Sequence, residues 1–373
     1  MADITLILLA AGSSSRFDCD VKKQWLRIEN EPLWQFVARK CVETKLFSKI
    51  IITSSKDDIA FMKFYDSFTF VEGSTTRGKS LKNALSEVSS EYVLVSDIAR
   101  PCIDESFLKS IISHAFTADC VVPYLSVNDT IVYEDKTIDR EKVKRIQTPQ
   151  LSKTKVLKSA LDTEIEYTDE SSAIVAFGGS RKFIHGMADA DKITYAKDLK
   201  KLPCLTPPSN DTFVGTGFDV HAFEDKKEMH LCGVKIDSEF GFKAHSDGDV
   251  AIHALIDALL GASGMGDIGE MFPDNSDEYK NIDSKVLLTK VCTKIKEFGF
   301  VIINVDITIA AQTPRIGSYK FAMRETIAAI LGCENSRVNI KATTTEQLGF
   351  IGRSEGVGVI ANANLKYFDW TKI

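Results

Sequence analysis

The sequence predicts two folded domains, an α/β domain with a mostly parallel sheet followed by an α+β domain whose sheet packs against helices. Three observations predict this. The chain has 373 residues, which suits two domains at roughly 150 residues each. In the first half apolar strand-like runs alternate with helical stretches, and a proline-rich segment separates it from a half with a different order of elements. The expected ranges are 1–201, a linker over 202–211, and 212–373.

The composition is typical of an ordinary soluble globular protein. Apolar residues make up 44% of the chain, charged residues 26%, and the formal net charge is −6. No basic tract indicates nucleic-acid binding, and no apolar run reaches the roughly 20 residues that a membrane span requires. The apolar run after Met1 lacks a basic start and contains Asp3, so we interpret it as a strand and not as an export signal.

The cysteine pattern carries an expectation about the cellular compartment. The eight cysteines are scattered and no Cys-x-x-Cys pair occurs. Neither a disulfide framework nor a cysteine-bound zinc is therefore expected. A reducing cytosol, and hence a cytoplasmic location, fits this pattern.

The first half begins with a strand over residues 4–10, whose continuous apolar run is expected of a strand buried on both faces of a parallel sheet. Further strands are predicted at Lys49–Ser54, Tyr92–Asp97, Cys120–Pro123 and Phe183–Met187. Helices are predicted at Leu33–Thr44, Ser80–Ser89, Glu105–His114, Lys153–Leu161 and Asp169–Phe177. Ligands of such sheets bind beyond the carboxyl ends of the strands.

A polar loop with the chemistry of a phosphate cradle follows the first strand. Residues 11–16 have small side chains that let backbone amides approach an anion, and Arg16 adds a fixed cation. Lys22 and Lys23 bring further positive charge. The loop matches neither a Walker loop nor a dinucleotide-binding turn, and an ordinary connection between strand and helix remains the alternative.

Asp97 stands at the carboxyl end of a predicted strand, just before Arg100. A carboxylate there can hold a metal–phosphate complex or a substrate hydroxyl. A helix cap or an ion pair with Arg100 is the alternative.

The motifs of the first half, taken together in order and spacing, resemble 2-C-methyl-D-erythritol 4-phosphate cytidylyltransferase over residues 3–201. They are Leu9-Ala10-Ala11-Gly12-x-x-x-Arg16, Lys23-Gln24, Gly73-x-x-x-Arg77-x-x-Ser80, Asp97-x-Ala99-Arg100-Pro101, Asp129-Thr130, Arg140, Thr148-Pro149-Gln150, Thr168-Asp169 and Asp191-Lys192. The resemblance implies a Rossmann-like nucleotidyltransferase domain. In that family an oxygen of methylerythritol phosphate attacks the α-phosphorus of CTP and pyrophosphate leaves, with Mg²⁺ or Mn²⁺ on the phosphates.

The same resemblance implies a role for each matching position. The catalytic residues would be Arg16, Lys23 and Lys192; the CTP-binding residues Ala10, Ala11, Gly12, Ser13, Arg77 and Ser80; and the residues that bind methylerythritol phosphate Asp97, Arg100, Thr130, Arg140 and Thr168. The sequence departs from the family at two positions: the family usually has another glycine near Ser14, and it has a small residue where Ile98 stands. Neither change removes a charge, so altered nucleotide affinity is expected before lost activity.

The segment 202–211 contains three prolines together with Ser, Asn and Asp. Prolines stiffen a segment and remove backbone donors, so we interpret it as a connector between folded units. A loop within one domain is the alternative.

The second half contains a predicted metal site. Asp219 and His221 are two apart in a strand-like stretch, so their side chains leave the same face. From Asp249 onward the apolar positions follow helical spacing, which places His253 on the opposite, polar face. A carboxylate and two imidazoles are typical of a catalytic zinc with an open fourth position. Unrelated polar residues on a sheet and a helix are the alternative.

The remaining elements of the second half predict the α+β class. They are a strand at His230–Ile236, a helix at Ser284–Phe298, a strand at Val301–Ala311, a helix at Ser318–Leu331 and a strand at Val338–Thr344.

The motifs of the second half are very similar to 2-C-methyl-D-erythritol 2,4-cyclodiphosphate synthase over residues 212–369. They are Asp219-Val220-His221, His245-Ser246-Asp247-Gly248-Asp249, His253, Gly266-Asp267-Ile268-Gly269-x-x-Phe272-Pro273-Asp274, and the run from Lys341 to Gly356 that contains Thr343-Thr344-Thr345-Glu346, Phe350 and Arg353. In that family the 2-phosphate of a cytidine diphosphate derivative attacks its own β-phosphorus, which gives the cyclic diphosphate and CMP.

This resemblance also implies residue roles. Zn²⁺ would bind Asp219, His221 and His253, and Mg²⁺ or Mn²⁺ would bind Glu346. Thr344 would be catalytic, and the substrate-binding residues would be His245, Ser246, Asp267, Gly269, Phe272, Asp274, Ala311, Arg315, Thr343, Phe350 and Arg353. The family more often has Lys where Arg315 stands, which keeps the charge but not the shape of the cation.

The two resemblances together imply a bifunctional enzyme of isoprenoid-precursor synthesis that acts on small cytidine-containing substrates. A kinase must act between its two reactions, so direct channelling is not expected. The alternatives are one active half with the other serving as an assembly module, and a generic zinc hydrolase. Relatives of the first half are dimers and relatives of the second are trimers with sites between subunits, so a homo-oligomer of three or six chains is expected.

Overall fold

The structure is a computed structural model that describes residues 3–12, 14, 16–163, 165–244, 246–273 and 282–373. Ser13, His245 and Asp274, each a predicted site residue, lie outside the described residues. The chain divides into two compact units, Met1–Pro208 with Asp369–Ile373, and Ser209–Phe368. No helix in the described ranges is both long and apolar enough to cross a membrane.

The last five residues lie in the first unit, whereas the sequence assigned them to the second domain. Trp370 explains this placement, because its side chain is buried there. Its indole Nε1 donates a hydrogen bond to the backbone oxygen of Arg27 at 2.7 Å. A buried aromatic ring with a satisfied N–H is a strong anchor for a chain segment.

The first unit is built from short strands and helices that alternate along the chain. Its strands are β1 (Ile4–Leu9), β2 (Arg27–Ile28), β3 (Glu31–Pro32), β4 (Lys49–Ser54), β5 (Thr69–Glu72), β6 (Tyr92–Asp97), β7 (Cys120–Ser126), β8 (Ile131–Tyr133), β9 (Lys136–Ile138), β10 (Lys144–Ile146), β11 (Gln150–Lys153) and β12 (Arg181–His185). Its helices are α1 (Leu33–Glu43), α2 (Lys56–Tyr65), α3 (Arg77–Ser86), α4 (Glu105–Ser113), α5 (Thr154–Ala160) and α6 (Glu170–Ala176).

The main sheet of the first unit has the order β10-β7-β11-β6-β1-β4-β5, and β12 pairs with β7. The pairs β1–β4, β1–β6, β4–β5 and β12–β7 are parallel, whereas β10 and β11 run antiparallel to their neighbours. The predicted α/β class with a mostly parallel sheet is confirmed. Leu9 pairs with Asp97, so the loop after β1 and the carboxylate at the end of β6 leave the sheet at the same edge.

A disulfide between Cys102 and Cys204 contradicts the expectation from the cysteine spacing. The two residues are 102 positions apart, and the fold brings their Cα atoms to 5.4 Å. Cysteine spacing can reveal metal ligands that are close in sequence. It cannot reveal a disulfide between cysteines that only the tertiary fold brings together.

The second unit contains a five-stranded sheet, a separate two-stranded sheet and several helices. Its strands are β13 (Thr212–Asp225), β14 (Met229–Leu231), β15 (Val234–Ile236), β16 (Phe240–Phe242), β17 (Phe300–Ala310), β18 (Val338–Thr343) and β19 (Gly356–Tyr367). Its helices are α7 (Val250–Ser263), α8 (Ile268–Met271), α9 (Ser284–Glu297), α10 (Lys320–Leu331) and α11 (Gly349–Gly352). The sheet order is β16-β13-β19-β17-β18, which confirms the predicted α+β class.

Helix α7 lies very close to strand β13, and glycines allow this approach. A Cβ added at Gly217 would lie 2.0 Å from the backbone oxygen of Ala254, and one at Gly215 would lie 2.0 Å from that of Ala258. Alternation along the strand places Asp219 and His221 on the same face as these glycines, toward α7. The glycines therefore set the distance between the strand and helix that carry the predicted zinc ligands.

Two expectations for the second unit are wrong. The stretch His230–Ile236 forms a hairpin and not one strand. Cys232 and Gly233 both adopt positive φ, as the two central residues of a type I′ turn require. Helix α7 is buried nearly all round, with no broad polar face, since Ala251, Ile252 and Ile256 are buried as well as the predicted apolar stripe. A helix packed between a sheet and further helices needs apolar residues on every side.

Candidate active sites

The first unit contains a pocket of about 500 Å³ at the edge where β1 and β6 end. The position agrees with the rule that ligands bind beyond the carboxyl ends of parallel strands. The predicted residues that line it are Ala10, Ala11, Gly12, Arg16, Lys23, Arg77, Ser80, Asp97 and Lys192. The structure therefore brings most of the predicted nucleotide-binding and catalytic residues of this half to one cavity.

Positive charge converges on this pocket. Burial, together with the nearby charges of Lys192 and Arg16, lowers the pKa of Lys23 from its ordinary value. The Lys23 ammonium also donates to the backbone oxygen of Ile193 at 3.3 Å, which fixes its position. Cations held together against their mutual repulsion favour a ligand with several negative charges.

Asp97 is almost fully buried and is surrounded by cations. Its Oδ2 accepts a hydrogen bond from Lys192 Nζ at 2.9 Å and one from Thr148 Oγ1 at 3.3 Å, while Arg77 Nε lies 3.6 Å from Oδ1. Burial alone would raise the pKa of Asp97, but Arg77 and Lys192 outweigh it and hold the pKa below its usual range. The carboxylate is therefore ionised and organises the surrounding cations.

Arg100 does not pair directly with the Asp97 side chain. Its Nε donates to Thr148 Oγ1 at 2.8 Å, and its Nη1 donates to the backbone oxygen of Ala190. It lines a neighbouring cavity of about 240 Å³ that also contains Arg145 and Lys192. The structure thus places Arg100 beside the main pocket and holds it there through Thr148.

The other residues predicted to bind methylerythritol phosphate do not line the main pocket of their own chain, as far as the described residues show. Thr130 and Arg140 flank the exposed hairpin of β8 and β9, and Thr168 is exposed before α6. The Arg140 Nη1 donates to the backbone oxygen of Asn128 at 2.7 Å. These side chains share one unit with the pocket but are not brought into it.

The second unit contains a cluster that could hold a metal ion, formed by Asp219, His221 and His253. One ligand atom from each lies within 4.8 Å of the others. Asp219 Oδ2 is 3.2 Å from His221 Nε2 and 3.4 Å from His253 Nδ1. Burial opposes ionisation of Asp219, but hydrogen bonds from the two imidazoles hold its pKa well below the usual range. One carboxylate and two imidazoles fit the donor preference of zinc.

Each imidazole is oriented by a partner on its other nitrogen. His221 Nδ1 lies 2.9 Å from the backbone oxygen of Gly248, which can only accept, so this nitrogen carries the proton and Nε2 is left as a ligand. His253 Nε2 lies 3.0 Å from Ser284 Oγ and 3.3 Å from Ser246 Oγ, which leaves Nδ1 toward Asp219. The predicted substrate contact Ser246 is therefore next to a metal ligand.

Ser284 and Asp247 form an outer layer of the site that the sequence did not reveal. Asp247 Oδ1 accepts from Ser284 Oγ at 2.5 Å, and its Oδ2 accepts from the Ser284 backbone at 3.1 Å. Asp249 also has a structural role, since its buried carboxylate caps α7 and accepts from the backbone of Cys232 and Gly233. Asp249 is not a member of the metal-binding cluster.

Most of the remaining predicted residues of the second half are exposed. Thr344 Oγ1 donates to Glu346 Oε1 at 3.0 Å, and Glu346 adopts a positive φ of 51°. Arg353 pairs with Glu355 at 2.7 Å. In the described part of the chain, Glu346 is not a member of the metal-binding cluster. Asp267, Gly269, Arg315 and Thr343 are also exposed, and Phe350 is 39% exposed. Phe272 and Ala311 are buried.

Sequence reasoning missed Glu170, a fully buried carboxylate at the start of α6 that contacts Arg77. The available signal was its position directly after Thr168-Asp169, where a charged residue begins an apolar helical stretch. It also missed Gln24 as a structural residue, although the motif contained it: Gln24 Nε2 donates to Asp58 Oδ2 at 2.9 Å beside the pocket.

Comparisons with known proteins identify a family for each half of the chain. The family model of 2-C-methyl-D-erythritol 4-phosphate cytidylyltransferase matches residues 4–203, and that of the YgbB family matches residues 212–366. The chain is 71% identical to a bifunctional enzyme IspD/IspF of Sulfurimonas denitrificans over 99% of this chain and 96% of the relative. It is 54% identical to one of Campylobacter curvus over the whole of both chains.

A solved structure agrees with these sequence matches. The bifunctional IspDF from Campylobacter jejuni is 48% identical, covers 99% of this chain and 100% of its own, and superposes with a TM-score of 0.92. The chain therefore belongs to the bifunctional IspD/IspF family, in which a cytidylyltransferase domain and a cyclodiphosphate synthase domain share one polypeptide.

Proposed function

We propose that the first unit transfers CMP from CTP to 2-C-methyl-D-erythritol 4-phosphate and releases pyrophosphate. The observation that carries this proposal is the convergence of Arg16, Lys23 and Lys192 on one pocket beside the buried carboxylate of Asp97. Attack on the α-phosphorus creates extra negative charge in the transition state, and preorganised cations stabilise that charge. Mg²⁺ or Mn²⁺ on the nucleotide phosphates would add to this stabilisation.

The polyol side of this site is proposed to need a second subunit. Thr130 and Arg140 lie at the base of a hairpin whose Val132 and Tyr133 side chains are 61% and 63% exposed. Exposed apolar side chains on a projecting hairpin favour contact with another protein surface. A dimer in which each hairpin reaches the neighbouring pocket would bring these two residues to methylerythritol phosphate.

We propose that the second unit cyclises 4-diphosphocytidyl-2-C-methyl-D-erythritol 2-phosphate to the 2,4-cyclodiphosphate and releases CMP. Asp219, His221 and His253 would hold Zn²⁺, which when bound supplies Lewis acidity and orients the phosphates. Ser246, beside His253, would donate a hydrogen bond to the reacting phosphate. Glu346, with Thr344 at its side, would hold the second divalent metal. No protein nucleophile is required, because the attacking oxygen belongs to the substrate.

The second unit is proposed to form trimers. The sheet face opposite α7 exposes Val214, Phe218 and Ile360 at 65%, 63% and 46%, and Phe218 pairs with Ile360 across β13 and β19. Such a face is typical of a subunit interface. A neighbouring subunit on this face could also bring the exposed Thr344–Arg353 segment to a metal cluster. If the first units form dimers and the second units form trimers, the smallest closed assembly contains six chains.

Activity measurements on one preparation test both assignments. The purified chain should release pyrophosphate from CTP with methylerythritol phosphate, and Arg16→Ala should lower that rate by about 10²-fold or more while the cyclase reaction persists. Metal analysis should find about one zinc per chain, lost in His221→Ala together with the cyclase reaction. Loss of both reactions in Arg16→Ala, or full zinc content in His221→Ala, would contradict the proposal. None of the comparisons with known proteins supports the alternative in which one half serves only for assembly.

A further inference from the structure

Glu170 is a buried carboxylate with no role in the mechanism described so far. The Glu170 residue is 1% exposed, and it begins α6 directly after Asp169. Its Oε1 accepts a hydrogen bond from Arg77 Nη1 at 2.6 Å. Its Oε2 is buried and has no hydrogen-bond partner in the part of the chain that the structure describes. Glu170 therefore cannot touch a substrate and acts through the groups that it contacts.

Arg77 lies between Glu170 and the pocket. It is the first residue of α3, and its side chain lines the pocket with 28% of its surface exposed. Its Nε lies 3.6 Å from Asp97 Oδ1, whereas its Nη1 contacts Glu170. A guanidinium has several N–H donors in one plane, so a carboxylate that fixes one end leaves donors of fixed direction for an anion in the pocket.

The energetics of the pair favour a role in orientation. Taking two charges out of water costs about as much as their attraction returns, so a buried pair is weak evidence for stabilisation. An arginine side chain that is free in a cavity populates several rotamers, and ordering it on binding costs free energy. A buried carboxylate that fixes the guanidinium beforehand removes that cost from each binding event.

The contact is part of a row of alternating charges. Glu170, Arg77, Asp97 and Lys192 follow one another, with separations of 2.6, 3.6 and 2.9 Å between their nearest charged atoms. The row begins at a group closed to solvent and ends at a predicted catalytic lysine. Among its members, Glu170 is the one held behind the pocket wall.

We propose that Glu170 is a positioning residue of the cytidylyltransferase, which holds the guanidinium of Arg77 in the orientation that binds CTP. This rests on the proposed function of the first unit. Because Glu170 acts through Arg77, its loss should weaken CTP binding, whereas methylerythritol phosphate binding and the chemical step depend on groups farther along the row.

Steady-state kinetics of the full chain test this proposal. Glu170→Gln keeps the shape of the side chain and removes its charge, and we expect it to raise the KM for CTP about tenfold, which corresponds to about 1.4 kcal/mol. The KM for methylerythritol phosphate and kcat should stay within about twofold. Asp162→Asn is the matched control, since Asp162 pairs with Lys82 on the surface and should leave all three constants unchanged.

A double mutant separates positioning from a general structural effect. In the Arg77→Ala background Glu170 has no guanidinium to orient, so adding Glu170→Gln should raise the KM for CTP by less than about twofold. An unchanged KM for CTP in Glu170→Gln, a parallel rise in both KM values, or a full effect in the Arg77→Ala background would overturn the proposal. Pyrophosphate release by the unmodified chain is measured in the same series, so failure of the proposed function is distinguished from failure of this inference.

Discussion

Lys23 illustrates how one residue in the first pocket responds to its neighbours. Because burial, Lys192 and Arg16 lower its pKa, Lys23 loses its proton at a lower pH than an ordinary lysine. The kcat/KM for CTP should therefore fall on the alkaline side as this charge is lost. Lys23→Arg keeps the charge at all accessible pH values and should move the alkaline limb to higher pH.

A pH–rate profile checks this prediction. Lys82→Arg is the control, because Lys82 is an exposed lysine that pairs with Asp162 and should leave the profile unchanged. The same alkaline limb in Lys23→Arg and in the unmodified chain would show that another group sets it.

Ser284 is the residue through which the second site can be tested outside the ligands themselves. Its hydroxyl lies between His253 Nε2 and Asp247 Oδ1, so Ser284→Ala should free the imidazole to turn. Loss of such a partner lowers metal affinity by about 10- to 100-fold. Competition with a zinc chelator measures the affinity, and Ser336→Ala, on an exposed serine, is the control. Equal affinities for both variants would contradict an orienting role.

For individual residues, the sequence predicts which side chains lie together on one strand or helix. It does not predict which side chains are brought together by tertiary packing. Asp219 and His221 were found because alternate strand positions share a face. Ser284 was missed because 31 positions separate it from His253. Glu170 was missed because 93 positions separate it from Arg77. Neither contact leaves a periodic signal in the chain.

Gly217 sets the distance between strand β13 and helix α7. Its added Cβ would lie 2.0 Å from the backbone oxygen of Ala254, and neither backbone can yield locally. Gly217→Ala should therefore push α7 and His253 away from Asp219, lower the free energy of unfolding by about 1–3 kcal/mol, and lower zinc content. Thermal unfolding and metal analysis measure the two effects.

Gly261, on helix α7, provides the matched control. A Cβ there would meet only the Cα of Gly215, at 3.9 Å. Because alanine favours a helix over glycine by about 0.5–1 kcal/mol, Gly261→Ala should keep the zinc and slightly stabilise the protein. Full zinc content in Gly217→Ala would show that the glycine does not govern the site.

The elements that the sequence revealed are those with long apolar runs or clear helical spacing. Strands β4 and β6 begin and end where predicted, and helix α9 differs by one residue. The central strand β19 was missed because Gly, Ala and Asn occupy many of its positions and have low strand propensity. Its buried face is nevertheless alternating, with Val357, Val359, Ala361, Ala363 and Leu365 fully buried.

Phe218 is the residue that tests the assembly of the whole molecule. It lies on the sheet face opposite α7, paired with Ile360, and Phe218→Asp would place a charge in the proposed trimer contact. We expect the mass in solution to fall by a factor of three relative to the unmodified chain. Phe321→Asp, on an exposed phenylalanine of α10, is the control. Light scattering decides the outcome, and an unchanged mass in Phe218→Asp would exclude this face as the interface.

The domain order and both fold classes could be predicted for the whole molecule, because each half carries its own motifs and its own pattern of elements. The disulfide between Cys102 and Cys204 could not. It joins the proline-rich segment to the loop that carries Arg100. Scattered cysteines are therefore no guide to the redox state of this chain.

Trp370 packs into the first unit although the chain of the second unit precedes it. During translation the ribosome must therefore complete residues 209–368 before this indole emerges. Until then the first unit lacks the indole that hydrogen-bonds to the backbone of Arg27, while the second unit has all of its own residues. The contact between Trp370 and the first unit therefore forms only after the second unit has been synthesised.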